Sequence, residues 1–262
     1  MLRWFRAPKS HATRRAYPSG PEDVVIYAIG DVHGRLDLLE AVHRRIDEDC
    51  NAHGQRSLEV YVGDLIDRGP NSAGVVDRLI GRLLTHDLVC IQGNHEALLL
   101  SFLDGNTGLG PLRGYGGLET LLSYGMSPDL LRGTPDEDLV RTRARALIPS
   151  QHRAVLEAMP LHIELGGYLF VHAGIRPGVS LAAQTAQDQQ WIRRSFLDFK
   201  GDFGYIVVHG HTPVSAPEFH PNRIAIDTGA FATHRLTCLR IDKAGPSVLH
   251  PDAGKTVEPS RP

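Results

Sequence analysis

Cysteine is scarce in this 262-residue chain: Cys50, Cys90 and Cys238 are odd in number and far apart. No C-x-x-C pair occurs, so neither a disulfide framework nor a thiolate zinc site is indicated, and a reducing, cytoplasmic setting is expected. Long apolar runs are missing too. No stretch approaches the ~18 residues of a membrane span, and no continuous apolar segment follows the basic N-terminal residues, so no secretory signal is expected. An excess of charge is also lacking. The net charge of −2 gives no support to nucleic-acid binding. The distribution is uneven, however: Arg3, Arg6, Lys9, Arg14 and Arg15 stand in residues 1–20 without an acid, which is +5 and leaves −7 on the rest. Residues 1–22 read as a disordered basic tail. Leu2, Trp4 and Phe5 beside those arginines offer the alternative of a docking segment.

What remains is an ordinary soluble composition, 42% hydrophobic and 22% charged, long enough for one sizeable core. Three segments of the first half share one design. Val24–Gly30 and Leu58–Gly63 are short apolar runs ending in Gly-Asp, and Leu88–Gly93 ends in Gly-Asn. Each reads as a buried strand. Helical patterns follow them, at Leu36–Asp47, Ala73–Leu84 and Glu96–Leu103. Strand, loop and helix in repetition predict parallel strands with crossover helices. The polar residues then fall past the carboxyl ends of the strands, where open α/β sheets bind ligands. Residues 105–160 read as a helical insertion, with helices at Asp136–Leu147 and His152–Met159. Strands return at Leu161–Glu164, Tyr168–His172, Tyr205–His209, Arg223–Asp227 and Arg235–Ile241, and predict a second, more antiparallel sheet. Residues 243–262, rich in Pro, Gly and charge, read as a disordered tail, so that one domain spans 23–242.

The strand ends carry the chemistry. Asp31 and His33 lie in Gly-Asp-Val-His-Gly, and their i, i+2 spacing in extended backbone puts both side chains on one side, where they could grip one metal. Asp64 and Asp67 lie in Gly-Asp-Leu-Ile-Asp-Arg-Gly, and Asn94 and His95 in Gly-Asn-His-Glu. His172 and His211 close later strands. Carboxylates, imidazoles and an amide without thiolate suit Mn²⁺, Fe or Zn²⁺. They suffice for two ions if one carboxylate bridges, and a pair ~3.5–4 Å apart is a known device for in-line displacement at phosphorus. Taken singly, each feature has a plainer reading. Asp after a strand Gly is commonly a turn or cap, and Asp67-Arg68 could be a surface ion pair. Five such blocks in order are specific.

From about Val24 to Ile241 the chain resembles the calcineurin-like metallophosphoesterases, and within them the phosphoprotein-phosphatase branch with its bacterial and phage members. The resemblance rests on the GD-x-HG, GD-x-x-D-R-G, GNHE, HAG and GH blocks quoted above. It implies a four-layer α/β/β/α sandwich with a helical insertion. It implies Asp31 and His33 as ligands of a first metal, Asp64 as the bridge, and Asn94, His172 and His211 as ligands of a second, with Mn the first choice of ion. It implies that Asp67 and His95 form the acid–imidazole pair that protonates the leaving oxygen, and that Arg68 clamps the phosphate with Asn94 beside it. Trp191-Ile-Arg193 resembles the element supplying a second phosphate arginine, although Arg194, standing where relatives carry Glu, leaves Arg193 and Arg194 both open. Two further positions depart from the wider pattern. Pro213 replaces a second His after Gly210-His211, and Tyr115 replaces an Asn before Gly116-Gly117. The implied activity is phosphomonoester hydrolysis on phosphoserine or phosphothreonine proteins or small phosphorylated molecules. A symmetrical dinucleoside polyphosphate hydrolase is the alternative, disfavoured by the presence of Asp67, and a metal-binding regulatory pseudoenzyme is the reading from outside catalysis. His209 is expected to be structural or to support a ligand, and Arg176 is either a site-rim residue or a turn-stabilising arginine before Pro177.

Overall fold

The computed structural model describes residues 17–250. The three Gly-terminated runs form β1 (Val24–Ile29), β2 (Arg56–Tyr61) and β3 (Leu88–Cys90), paired in parallel in that order. Helices α1 (Leu36–His53), α2 (Ser72–Leu83) and α3 (Asn94–Asp104) follow them. The ends of the first two have ordinary causes. Helix α1 stops where Gly54 turns into the left-handed region at φ 65°, which costs glycine nothing. The Asn71 side chain caps α2 by accepting from the Gly74 N–H at 2.9 Å.

Strand alternation builds the layers. Val25, Tyr27 and Ile29 of β1 face the helices, while Ile26 and Ala28 face the second sheet. That sheet contains β4 (His162–Leu165), β5 (Tyr168–Val171), β6 (Ile206–His209), β7 (Glu218–His220) and β8 (Arg223–Ala225), in the order β4-β5-β6-β8-β7. Tyr168, Phe170, Val208 and Ile224 meet Ile26, Val60, Val62 and Ile91 in the inter-sheet core. On the far face, Leu169, Val171 and Val207 pack against Ile192 and Phe196, which flank the short helix α9 (Arg194–Leu197) and lie within it respectively. The result is the expected α/β/β/α sandwich. Each fully buried aliphatic contributes about 1.5–3 kcal/mol relative to exposure, so the alternation fixes the faces.

Three expectations need correction. The strand expected at Arg235–Ile241 is β9 (Cys238–Asp242), and it joins the first sheet antiparallel to β1 rather than the second. The second sheet is mixed, with β5, β6 and β8 parallel and only its edge strands β4 and β7 antiparallel. The residues flanking the domain are partly ordered. Gly245–Leu249 forms an edge strand, β10, on β9, because its backbone completes a hairpin through the turn at Asp242–Gly245. At the other end, Pro18 and Gly20 bond to Tyr168 and Asp242, and the Tyr17 hydroxyl donates to the His220 carbonyl. The basic residues before Tyr17, and those after His250, lie outside the described residues.

Residues 105–160 are helical as expected. They supply α4 (Leu109–Gly114), α5 (Gly117–Ser123), α6 (Glu137–Leu147) and α7 (Ser150–Glu157), which pack on α2 and α3. Beneath α1 and α2 lies a buried polar network. His43 Nε2 donates to the Tyr61 hydroxyl (2.7 Å), which donates to Glu59 (2.6 Å), while Arg78 Nε donates to His43 Nδ1 (3.1 Å). Arg82 binds Glu59 at 2.8 Å and Asp47 at 2.6 Å. His43 therefore uses one nitrogen as donor and one as acceptor, which requires the neutral ring. Burial, then the Arg82 and Arg78 charges, lowers it from 6.5 to about 3. A depressed histidine contributes stability above its unfolded value, and that stability is lost as pH falls below 6.5 toward 3. At pH ~5.5 the loss should be ~1.4 kcal/mol. We expect His43→Gln to flatten the fall in unfolding free energy between pH ~7.5 and ~5.5 by about that amount in urea titrations. Parallel falls in both proteins would mean that His43 titrates normally.

Candidate active site

Six ligand-type side chains sit just past strand ends. Asp31 and His33 follow β1, Asp64 follows β2, Asn94 opens α3 after β3, His172 follows β5 and His211 follows β6. Both sheets therefore contribute. The local backbone is unusual. Among the described residues only six non-glycine residues have positive φ, and five are here: His33 (47°), Asp64 (51°), Asp67 (72°), Arg68 (66°) and His211 (63°). Left-handed conformations are uncommon outside glycine, although Asp and His tolerate them better than most. They turn the chain sharply enough to aim consecutive side chains at one point. The glycines give access: a Cβ on Gly210 would collide with Asp31 Oδ1, and one on Gly63 would sit 2.8 Å from His172 Nδ1.

Asp64 stands between two groups. Its Oδ1 is 3.3 Å from His172 Nε2, and its Oδ2 is 3.6 Å from His33 Nε2. On the first side, Asn94 Oδ1 is 2.9 Å from both His172 Nε2 and His211 Nδ1, which are 3.2 Å apart. Four donor atoms spaced at 2.9–3.3 Å match the edges of a polyhedron around one cation at ~2.0–2.2 Å. His33 Nδ1 lies against the Ile66 carbonyl at 2.8 Å and His172 Nδ1 against that of Val62 at 2.8 Å, which fixes both rings with Nε2 free for a ligand. Asp31 Oδ2 accepts from the His211 N–H at 3.0 Å, while Asp31 Oδ1 is buried with no partner among the described residues. Burial, then the Asp227 and Asp64 charges, pushes the Asp31 carboxyl well above the usual range. Such a group needs a cation beside it to ionise. Burial opposes ionisation of Asp64 as well, but the His172 and His95 imidazoles outweigh it and hold that carboxyl well below its ordinary value. Burial keeps His33 and His211 neutral, each lowered to about 3, as metal ligands require. Burial acts the same way on His172, but the Asp64 charge beside it prevails and raises that imidazole, a charge that a cation on Asp64 would offset. The donor set thus fits two divalent cations sharing Asp64.

His95 is differently engaged. Its Nδ1 pairs with Asp67 Oδ2 at 2.7 Å, and its Nε2 is 3.1 Å from Arg68 and 3.6 Å from Asp64 Oδ2. Burial disfavours the imidazolium, yet the Asp64 charge and the Asp67 hydrogen bond prevail and raise His95 above its ordinary value. An Arg68 N–H can donate to Nε2 only when that nitrogen carries no proton. Arg193 lies close enough that its charge helps keep His211 neutral, whereas Arg194 makes no hydrogen bond or ion pair with these residues among the described ones. Trp191, closing helix α8 (Ala186–Trp191), sets its ring edge-on to His211 at 6.1 Å. Tyr115 sits edge-on to His95 at 5.8 Å. His209 is buried against Phe196 and outside the cluster, and Arg176 binds Asp188 at the surface.

Sequence reasoning missed four site residues. The Glu96 carboxylate accepts from Gly93, Asp64 and Leu65 N–H groups at 2.9, 3.0 and 2.7 Å, holding the Asp64 turn to the start of α3. The Gly-Asn-His-Glu block contained that signal, since Glu at the third helical position is a capping residue. Thr120, from the insertion, donates to Asp67 Oδ1 at 2.5 Å, and both it and Ser72 accept from the Asp67 N–H. Nothing local in the sequence marks Thr120. Asp227 after β8 is buried near Asp31, with its carboxyl raised first by burial; in the sequence it only closes the strand expected at Arg223–Asp227.

With this geometry in view, the match of residues 24–236 to the calcineurin-like phosphoesterase model is decisive, and the chain belongs to that family. It is a hydrolase of phosphoester bonds. Curated relatives include the bis(5'-nucleosyl)-tetraphosphatase PrpE [asymmetrical] of Anoxybacillus flavithermus, 26% identical over 234 residues, and that of Bacillus subtilis, 28% identical over 233. Each alignment covers 81% of this chain and 88% of the relative. Among solved structures, a candidate diadenosine tetraphosphatase superposes with TM-score 0.60 at 20% identity, covering 89% of this chain and all of that one. A cold-active protein tyrosine phosphatase superposes with TM-score 0.58 at 16% identity, covering 92% and 82%. These structural likenesses establish the fold. Metal analysis tests the shared carboxylate. Asp64→Asn should lose bound Mn²⁺ toward zero per chain, while His33→Ala and His172→Ala should each fall toward one. Asp64→Asn with two ions per chain would break the bridged arrangement.

Proposed function

We propose that Asp31, His33 and Asp64 hold one divalent cation, and Asp64, Asn94, His172 and His211 a second, with Mn²⁺ the first candidate and Fe or Zn²⁺ the others. When bound, such a pair supplies an activated water and positive charge against the phosphoryl oxygens. The chain's own groups do the rest. Arg68 and Arg193 bind and orient the phosphate through their planar donors. Asp67 holds His95 by Nδ1 and favours its charged form, so that Nε2 can release a proton to the leaving oxygen. Thr120 and Ser72 hold Asp67.

The favoured substrate is a small phosphorylated molecule, with bis(5'-nucleosyl) tetraphosphates first. The supporting observation is that relatives of that name align over most of their length and most of this chain. Those relatives carry the designation asymmetrical, whereas the alternative expectation is symmetrical cleavage. A second reading, phosphoserine or phosphothreonine hydrolysis, is favoured by the 2.7 Å Asp67–His95 pair, because an alkoxide leaving group needs a proton far more than a polyphosphate does.

Leaving-group dependence separates the two. His95→Asn should reduce kcat on a phosphoserine peptide by roughly 10²–10⁴-fold. It should reduce kcat much less on p-nitrophenyl phosphate or diadenosine tetraphosphate. Equal losses on all three would remove His95 from the acid role. In the wild-type protein, a higher kcat/KM for the phosphopeptide than for diadenosine tetraphosphate would overturn the small-molecule reading.

A further inference from the structure

Among the described residues only two of the Phe, Tyr and Trp side chains are exposed, Tyr115 at 41% and Phe231 at 37%, and both stand at the active site. Phe231 belongs to helix α10 (Ala230–Thr233). Its ring lies 5.5 Å from that of His33, and the Arg68 guanidinium sits 4.9 Å over it. Tyr115 comes from the insertion and touches His95, and Trp191 lies 5.4 Å from Tyr115 and next to His211. Three separate elements thus deliver three aromatic rings to the rim of one polar site.

Two of these placements are actively held. Gly116, left-handed at φ 86°, accepts from the Arg68 N–H at 3.0 Å, and a Cβ there would strike Arg68, so the Tyr115 turn is seated on the phosphate loop. Arg35 donates to the Ala230 carbonyl at 2.9 Å and bonds His234 at 3.0 Å, clasping both ends of α10. Orienting the imidazoles would need only the ring edges that touch them. The open area of Tyr115 and Phe231 is apolar surface kept in water, at a cost that a bound ring would remove.

We propose that Tyr115, Trp191 and Phe231 form a subsite for a planar aromatic group carried by the substrate's phosphate. This rests on the reading that the adjoining cluster takes that phosphate. The ring could come from two sources, a nucleobase or an aryl ester, and both present the same π face. Substrates without a ring would gain only the phosphate contacts.

The test uses the Mn²⁺-loaded full-length chain and two matched pairs of ligands, AMP against ribose 5-phosphate and phenyl phosphate against ethyl phosphate. Inhibition constants are measured with p-nitrophenyl phosphate as reporter. Ring-bearing ligands should bind roughly 5- to 150-fold more tightly than their partners. Preference within the first pair identifies a nucleobase, and within the second an aryl group. Trp191→Leu, Tyr115→Leu and Phe231→Leu should reduce the preference, whatever they do to the common rate. Tyr115→Phe should retain it, since the ring survives. The sequence has two tryptophans, Trp4 and Trp191. In a Trp4→Phe background the preferred ring-bearing ligand should quench Trp191 emission, and its ringless partner should not. This reading needs no turnover. Equal constants within both pairs and equal quenching would overturn the subsite. Failure to hydrolyse any phosphorylated compound, with ring-dependent quenching intact, would overturn the phosphohydrolase reading and leave the subsite standing.

Discussion

The Asp64 carboxylate is the constraint on which the rest depends. Its two oxygens face different histidines, at 3.3 and 3.6 Å, so a single side chain addresses both halves of the site. A carboxylate can do this only if its backbone is turned out of the strand, which the φ of 51° achieves. That conformation is costly for a non-glycine residue, and Glu96 offsets the cost by accepting three neighbouring N–H groups. The Glu96 carboxyl, raised to about 7 by burial and then by Asp64, shows how much unfavourable charge is gathered in one place. Loop, helix start and the Asp64 carboxylate form one unit.

Much of this was legible in the sequence because short, regular physics governs it. Apolar runs closed by Gly-Asp or Gly-Asn marked β1, β2 and β3, and the residues after them reach the same point in space because parallel strands put their carboxyl ends on one edge. The six ligand-type residues follow from that rule and from the family resemblance. The structure sets Asp64 beside His33 on one side and His172 on the other, groups His172 with Asn94 and His211, and ties Asp31 to the His211 N–H. Helix cores were placed well. Their ends were less so: α1 runs to His53, beyond the periodic pattern that faded at Asp47, because Gly54 and not the pattern stops it.

Other features depended on partners distant in the chain. The strand at Cys238–Asp242 has the same composition whichever sheet it joins, and only its pairing with Ile26–Ile29 decides. Gly245–Leu249 has Gly and Pro at its start and looks like a tail, yet an edge strand needs only one hydrogen-bonding neighbour. Thr120 reaches Asp67 across 53 residues, and no local pattern announces such a contact. Asp227 reads in the sequence as the end of a strand, and only the pairing of β8 with β6 brings it to the site.

The ligand-type residues divide between the two sheets: Asp31, His33, Asp64 and Asn94 leave the first, and His172 and His211 the second. Cation binding and the docking of the layers are therefore one equilibrium viewed from two sides, since a ligand that binds only the docked form stabilises it by mass action. Damage to the inter-sheet packing, at Ile26 or Phe170 for example, would first surface as a weakened hold on the cations, although neither side chain is a ligand. A ready supply of a divalent cation held there would in turn mask such damage, so that the same inherited substitution is silent in a cell rich in that cation and disabling in one starved of it.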